Sequence, residues 1–132
     1  MNKKSVHDNL IKEYCVSSDK KTIILHTEYN NEKSNEKTDV VFSGVEAYLF
    51  YRDNMQTILF DIVEKSVEEI IDGFTDEFAD GIKYCWPGSW NESINACREH
   101  LKQQQCKAWM ISSSYGMGGF VIAKDMEIKP IV

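Results

Sequence analysis

Carboxylates are the groups whose spacing in this chain best suits them to act together. Between Asp61 and Asp80 stand Asp61, Glu64, Glu68, Glu69, Asp72, Asp76, Glu77 and Asp80 against one base, Lys65, so this stretch carries −7 while the whole chain carries −6. Glu68, Asp72, Asp76 and Asp80 recur at i, i+4, which places them on one helix face, where like charges repel by roughly 0.2–0.5 kcal/mol per pair. A one-signed face kept against that repulsion fits a cationic partner, steered by a field that salt screens. A merely solvated acidic helix is the plain alternative. Trp86, with Trp90 four residues on, flanks the chain break after this segment and offers an aromatic anchor beside the acidic rim; core packing is its other use.

Other chemistries are less well served. Asp72-Gly73-Phe74-Thr75-Asp76 lacks the alternating oxygen donors of a calcium loop, and its apolar residues keep helical spacing. Cys97-x-x-His100, with Cys106 and Cys85, matches no common zinc spacing, so no metal or other cofactor is expected. These four residues read instead as packing cysteines and an exposed histidine on the opposite helix face. The run Gly116-Met117-Gly118-Gly119 is followed by strand-like residues rather than a Lys-Ser and a helix, which makes it a hairpin turn needing positive φ and not a phosphate cradle. A hydrolase would have to join His26 to Ser112-Ser113-Ser114, yet no strand-to-helix elbow surrounds these serines, and no enzyme is expected. His26 and Glu28 share one face of a strand, which reads as a wet sheet face.

The elements that must position these groups follow from periodicity. Leu10 to Val16 and Thr22 to Tyr29 are rich in β-branched and aromatic residues around the turn cluster Ser17 to Lys21, a hairpin. Asn30 to Lys37 is polar throughout and reads as an exposed loop. Asp39 to Phe50, bent or divided at Ser43-Gly44, and Thr57 to Val63 continue the strands as a meander. Val67, Ile70, Ile71, Phe74, Phe78 and Ile82 then form one apolar stripe of a helix, with a break near Phe74-Thr75 because Gly73 and Gly81 weaken it. Ser89 with Glu92 predicts a capping box for a further helix whose stripe is Trp90, Ile94, Cys97 and Leu101. Lys107 to Ser113 and Phe120 to Ala123 pair as strands, and Met126 to Val132, containing Pro130, suits an edge.

Strands first, helices in the middle and a closing hairpin predict a single α+β domain over residues 1–132: an antiparallel or mixed sheet with two or three helices packed on one face. With 132 residues, 42% hydrophobic and 27% charged, the chain is long enough and apolar enough for one core. Cys15, Cys85, Cys97 and Cys106 are expected as free thiols, with Cys15 and Cys106 buried in strands. No apolar run approaches a membrane span, and Met1 to Asn9 has two lysines but no apolar core behind them, so a cytoplasmic location is expected. The pI of about 5.0 opposes nucleic acid.

His26-Thr27-Glu28-Tyr29, Asp39-Val40-Val41-Phe42-Ser43-Gly44-Val45, Ile58-Leu59-Phe60-Asp61-Ile62 and Ile111-Ser112-Ser113-Ser114-Tyr115-Gly116 resemble small bacterial immunity proteins of polymorphic or contact-dependent toxin systems. That resemblance implies a protein that binds a cognate toxin domain, often a basic nuclease, and neutralises it. The expected partner-binding residues are Glu64, Glu68, Glu69, Asp72, Asp76, Glu77, Asp80 and Trp86. The alternative is a small-molecule-binding or regulatory domain, with a pocket between sheet and helices lined by Tyr48, Phe50 and Trp109.

Overall fold

β1 (Leu10–Ser17) and β2 (Thr22–Asn30) form the expected hairpin, and β3 (Asn35–Ser43) pairs with β2 along its whole length. The computed structural model describes residues 5–30 and 35–131. The polar start, the middle of the expected loop and the last residue of the expected edge strand fall in residues 1–4, 31–34 and 132, outside that range. Asn30 and Asn35 to Lys37, read as loop from their polarity, belong instead to strands, where Asn30 faces Asn35 and Glu28 faces Lys37. Backbone pairing overrides side-chain polarity there because the outer face of the sheet is wet.

The meander stops at β3. Gly44, with φ +64, turns the chain away, and β4 (Ala47–Tyr51) pairs with β7 (Gly118–Ala123) rather than with its neighbours in sequence. With β5 (Ile58–Lys65), β6 (Lys107–Tyr115) and β8 (Asp125–Ile131) the strands build one antiparallel sheet in the order β4-β7-β6-β5-β1-β2-β3-β8. Pro130 lies on the edge strand β8, where the missing N–H costs no pairing. Gly116 and Gly119 take positive φ in the β6–β7 hairpin, as their spacing predicts.

The sheet coils until its β4 edge returns beside the β1–β2 turn. The Val45 N–H donates to the Lys21 carbonyl at 2.9 Å, and Tyr14 meets Phe50 edge-on with ring centroids 5.4 Å apart. Alternation on β6 and β7 then separates two cores. Trp109, Ile111, Val121 and Ala123 face inward with Ile23, Leu25, Val40, Phe42 and Leu59. Ala108, Phe120 and Ile122 face the helices α1 (Val67–Gly73), α2 (Thr75–Gly81) and α3 (Ile94–Gln103), which contribute Ile70, Ile71, Phe78, Cys97 and Leu101. Trp109 is thus core, against Phe42, and lines no pocket of the kind expected for it.

The break between α1 and α2 falls at Phe74, whose φ −127 and ψ 36 leave the helical region. The cap of α3 is Ser93, whose hydroxyl accepts the Ala96 N–H at 3.0 Å, and not Ser89. Residues 88–92 are taken up otherwise: Asn91 is buried and its amide donates to the carbonyls of Phe78 and Trp86, both at 2.9 Å, tying this loop to the end of α2. The capping box belongs to α1, where Ser66 and Glu69 exchange hydrogen bonds of 3.1 Å.

All four cysteines are free, but their burial differs from expectation. Cys15 points outward from β1 and is exposed, Cys106 is half-buried just before β6, and burial pushes the thiols of Cys97 and Cys106 up to about 11. Thiolate is the reactive form. Alkylation of the native protein should therefore modify Cys15 and Cys85 first and Cys97 only on unfolding, which peptide mass mapping over time will show. Among the described residues, no helix is long and apolar enough to cross a membrane.

Candidate functional site

The acidic segment does not form one continuous face. Glu64 lies at the end of β5, Glu68, Glu69 and Asp72 lie on α1, and Asp76, Glu77 and Asp80 lie on α2 beyond the break. The i, i+4 spacing of Asp72 and Asp76 spans that break, so the expected stripe is divided into two halves of different character.

The α1 half is compensated. Arg98 of α3 donates through Nε to Glu68 at 2.9 Å and through Nη2 to Asp72 at 3.1 Å. Desolvation pulls the Arg98 pKa down, but the bonds and charges of Glu68 and then Asp72 outweigh it and raise the pKa. Glu69 is occupied by the cap: the Ser66 backbone N–H, then its hydroxyl, hold the Glu69 carboxyl below its ordinary range. Glu64, Glu68 and Glu69 also border a cleft shared with Lys65, Arg98, Lys102 and Lys107, a mixed surface rather than a one-signed one.

The α2 half is not compensated. Asp76, Glu77 and Asp80 are exposed, and among the described residues no cation pairs with them. A 3-10 turn at Ile82–Tyr84 follows directly and presents Ile82, Lys83 and Tyr84, the last 73% exposed, so the surface is net acidic with one cation, unpaired among the described residues, at its end. Trp86 takes the other role weighed for it: half-buried, it packs on Phe78 with centroids 5.4 Å apart. Tyr84, two residues earlier, is the aromatic left exposed beside these acids. Aromatic character alone does not separate the two. The signal that does is the stripe itself, since Phe78 and Gly81 are buried and the residues directly after Gly81 leave the helix.

A second cluster, absent from the sequence reading, centres on Glu46. Its side chain is 5% exposed, and it accepts hydrogen bonds from Lys21 Nζ and, at 2.7 Å, from His100 Nε2. His100 is thus half-buried rather than solvent-facing, and its ring stacks under Trp90 at 4.3 Å with planes 9° apart. Burial pushes the Glu46 carboxyl up, but the bonds from Lys21 and His100 outweigh it and hold the group below its ordinary value. Beside it, a groove of about 480 Å³ runs between β4 and the β1–β2 hairpin, with Tyr14, Tyr48, Phe50 and Trp86 on its walls. Hydrogen bonding to Asp53 raises the Tyr14 hydroxyl to about 12, so it stays a neutral donor in the groove wall.

His26 on β2 and Ser112 to Ser114 on β6 are separated by β1 and β5, so the hydrolase arrangement is not assembled. Cys97, on the buried face of α3, and His100, bonded to Glu46, do not converge with Cys85 and Cys106. Comparison of the chain with protein-family models, with curated proteins and with solved structures finds no match.

Proposed function

We propose that the protein binds and neutralises a cationic protein partner, a basic toxin domain of the nuclease type, as immunity proteins do, and that the α2 end carries the contact. The observation supporting this is the pairing of an uncompensated acidic edge, Asp76, Glu77 and Asp80, with the exposed Tyr84 and Ile82 directly after it. Such a surface has the charged rim and aromatic centre of an interface: the rim sets rate and salt dependence, the aromatic sets residence time. Glu68, Asp72 and Glu69 support it from behind, through Arg98 and the cap, rather than by contact.

The test is capture of a basic partner on the immobilised protein at two salt concentrations, repeated with Asp76→Lys/Glu77→Lys/Asp80→Lys and with Tyr84→Ala. Salt and charge reversal should each release the partner, and Tyr84→Ala should weaken binding about 30-fold, the loss of an anchor worth about 2 kcal/mol. A partner retained equally by all three forms, at both salts, defeats the proposal.

The groove beside Glu46 favours a second reading, a small-molecule-binding or regulatory domain. Its four aromatic side chains offer contact area, and the Lys21–Glu46 pair and Asp53 among its many polar groups could orient a ligand. In a ligand screen read by the shift in melting temperature, a compound whose effect vanishes in Phe50→Ala but survives Tyr84→Ala would assign the activity to the groove.

A further inference from the structure

The outer face of the β1–β2 hairpin brings together three side chains of metal-ligating type, two from β1 and one from β2. Donor atoms of Glu13, Cys15 and His26 all lie within 4.8 Å of one another. The Glu13 carboxylate is 3.9 Å from His26 Nε2 and 4.0 Å from Cys15 Sγ, so the three donors form a compact triangle. The face is solvent-accessible, with Glu13 69% and His26 36% exposed, and a cleft of about 450 Å³ opens over Glu13, His26 and Asp39.

A backbone irregularity makes this convergence. Ile11 faces Thr27 and Glu13 faces His26, so Lys12 is an extra residue in β1, a bulge. In regular pairing Lys12 would face His26, and Glu13 would face Leu25, which points into the core. With the bulge, Glu13 and Cys15 share one strand face and stand beside His26. Replacement of a cation by a carboxylate opposite an imidazole is what a cation site requires.

The histidine is also oriented. His26 Nδ1 lies 2.9 Å from Asp39 Oδ1 on β3, and Asp39 is 20% exposed. A carboxylate there fixes the tautomer with the proton on Nδ1 and leaves the Nε2 lone pair aimed at Glu13 and Cys15, the outer-shell arrangement found behind metal-binding histidines. Cys15, His26 and Asp39 in this order also have the composition of a thiol–imidazole–carboxylate triad. Glu13 decides against that use, because its carboxylate also lies beside the imidazole Nε2, at 3.9 Å, where such a triad would seat the thiol.

We propose that Glu13, Cys15 and His26 bind a borderline-soft divalent cation, zinc first, through Oε1, Sγ and Nε2, with Asp39 as a positioning residue and the fourth position left to water. Zinc bonds of about 2.0–2.3 Å place neighbouring donors about 3.5 Å apart, so from separations of 3.9 Å, 4.0 Å and at most 4.8 Å the donors close by about 0.4 to 1.3 Å. On binding, Cys15 loses its thiol proton to solvent and the sulfur lone pair goes to the metal; no oxidant or reductant takes part. The proposal is independent of the α2 surface, since the helices cover β6 and β7 and not the β1–β2–β3 strands.

Cobalt(II) reports this ligand set directly, because a cysteine thiolate gives it a charge-transfer absorption that carboxylate and imidazole do not. Titration of the native chain should give that band, saturating at one metal per chain and bleached by zinc. Cys15→Ser should abolish it, His26→Ala should weaken zinc binding at least tenfold, and Asp39→Ala should weaken it about tenfold while keeping the band. Cys85→Ser, at the other exposed thiol, should change nothing. Absence of the band in the native protein, or its persistence in Cys15→Ser, overturns the site, and circular dichroism of each variant shows that the sheet is intact.

Discussion

Replacing Gly119 with alanine is expected to cost about 4 kcal/mol or more, at the extreme of what single substitutions do. Two effects add. Gly119 sits at φ +142, which side-chain-bearing residues rarely adopt, and a Cβ there would lie 1.8 Å from the Leu49 carbonyl oxygen and 2.8 Å from its carbon. Both atoms are backbone of β4, so the clash is relieved only by moving the strand, and β4 is held in the sheet through β7. Loss of β4 strips Ala47 and Leu49 from the helical core and opens the groove beside Glu46. Urea denaturation should show a much lower midpoint or no folded baseline. Gly73→Ala is the matching control: nothing lies within 4 Å of its Cβ position, and a gain of up to about 1 kcal/mol is expected from the stiffer unfolded chain. Near-native stability of Gly119→Ala would mean that β4 is not clamped as described.

The second large effect concerns Glu46. Glu46→Ala removes the carboxylate shared by Lys21 and His100 and should cost about 2–3 kcal/mol, less than the 3–5 of a fully buried pair because Lys21 stays in water. The pH dependence has a definite sign. The Glu46 pKa is lower folded than unfolded, so its contribution is complete above the unfolded carboxylate range and is lost as pH falls through the folded value. Thermal melts across the acid range should therefore show a decline that Glu46→Gln flattens, with lower stability at neutral pH. An unchanged acid limb in Glu46→Gln would remove this carboxyl from the account.

Much of the scaffold was legible because it depends on local signals. Strand alternation placed the β1–β2 and β6–β7 hairpins, the glycines marked the turn before β7, and the apolar stripe with two glycines gave the α1–α2 break. What failed depends on pairing between distant segments. Nothing near Ala47 to Tyr51 says that β4 seeks β7 rather than β3, and only that choice brings Glu46 against His100. The i, i+4 acidic run holds as spacing, but Arg98, eighteen residues beyond Asp80, pairs with Glu68 and Asp72 in it. The Lys12 bulge is invisible for the same reason: a single inserted residue leaves no mark on composition, yet it decides which side chain meets His26. One local signal was simply misassigned. Ser66 and Glu69 have the capping-box spacing directly before an apolar run, as Ser89 and Glu92 do, but only the former is free of the tertiary bonds that occupy Asn91.

The strand order has a consequence for how the chain comes off the ribosome. The two edge pairings join β4 to β7 and β3 to β8, and both partners lie in the last part of the sequence, Gly118–Ala123 and Asp125–Ile131. Until those residues emerge, β3 and β4 each present an unpaired hydrogen-bonding edge, with Val40, Phe42, Leu49 and Phe50 in sight of other nascent chains. Folding dominated by such distant pairings is slow. Productive synthesis thus depends on β7 and β8 arriving before a neighbouring polysome supplies a strand of its own, and ribosomes stalled after Lys107 should yield insoluble product.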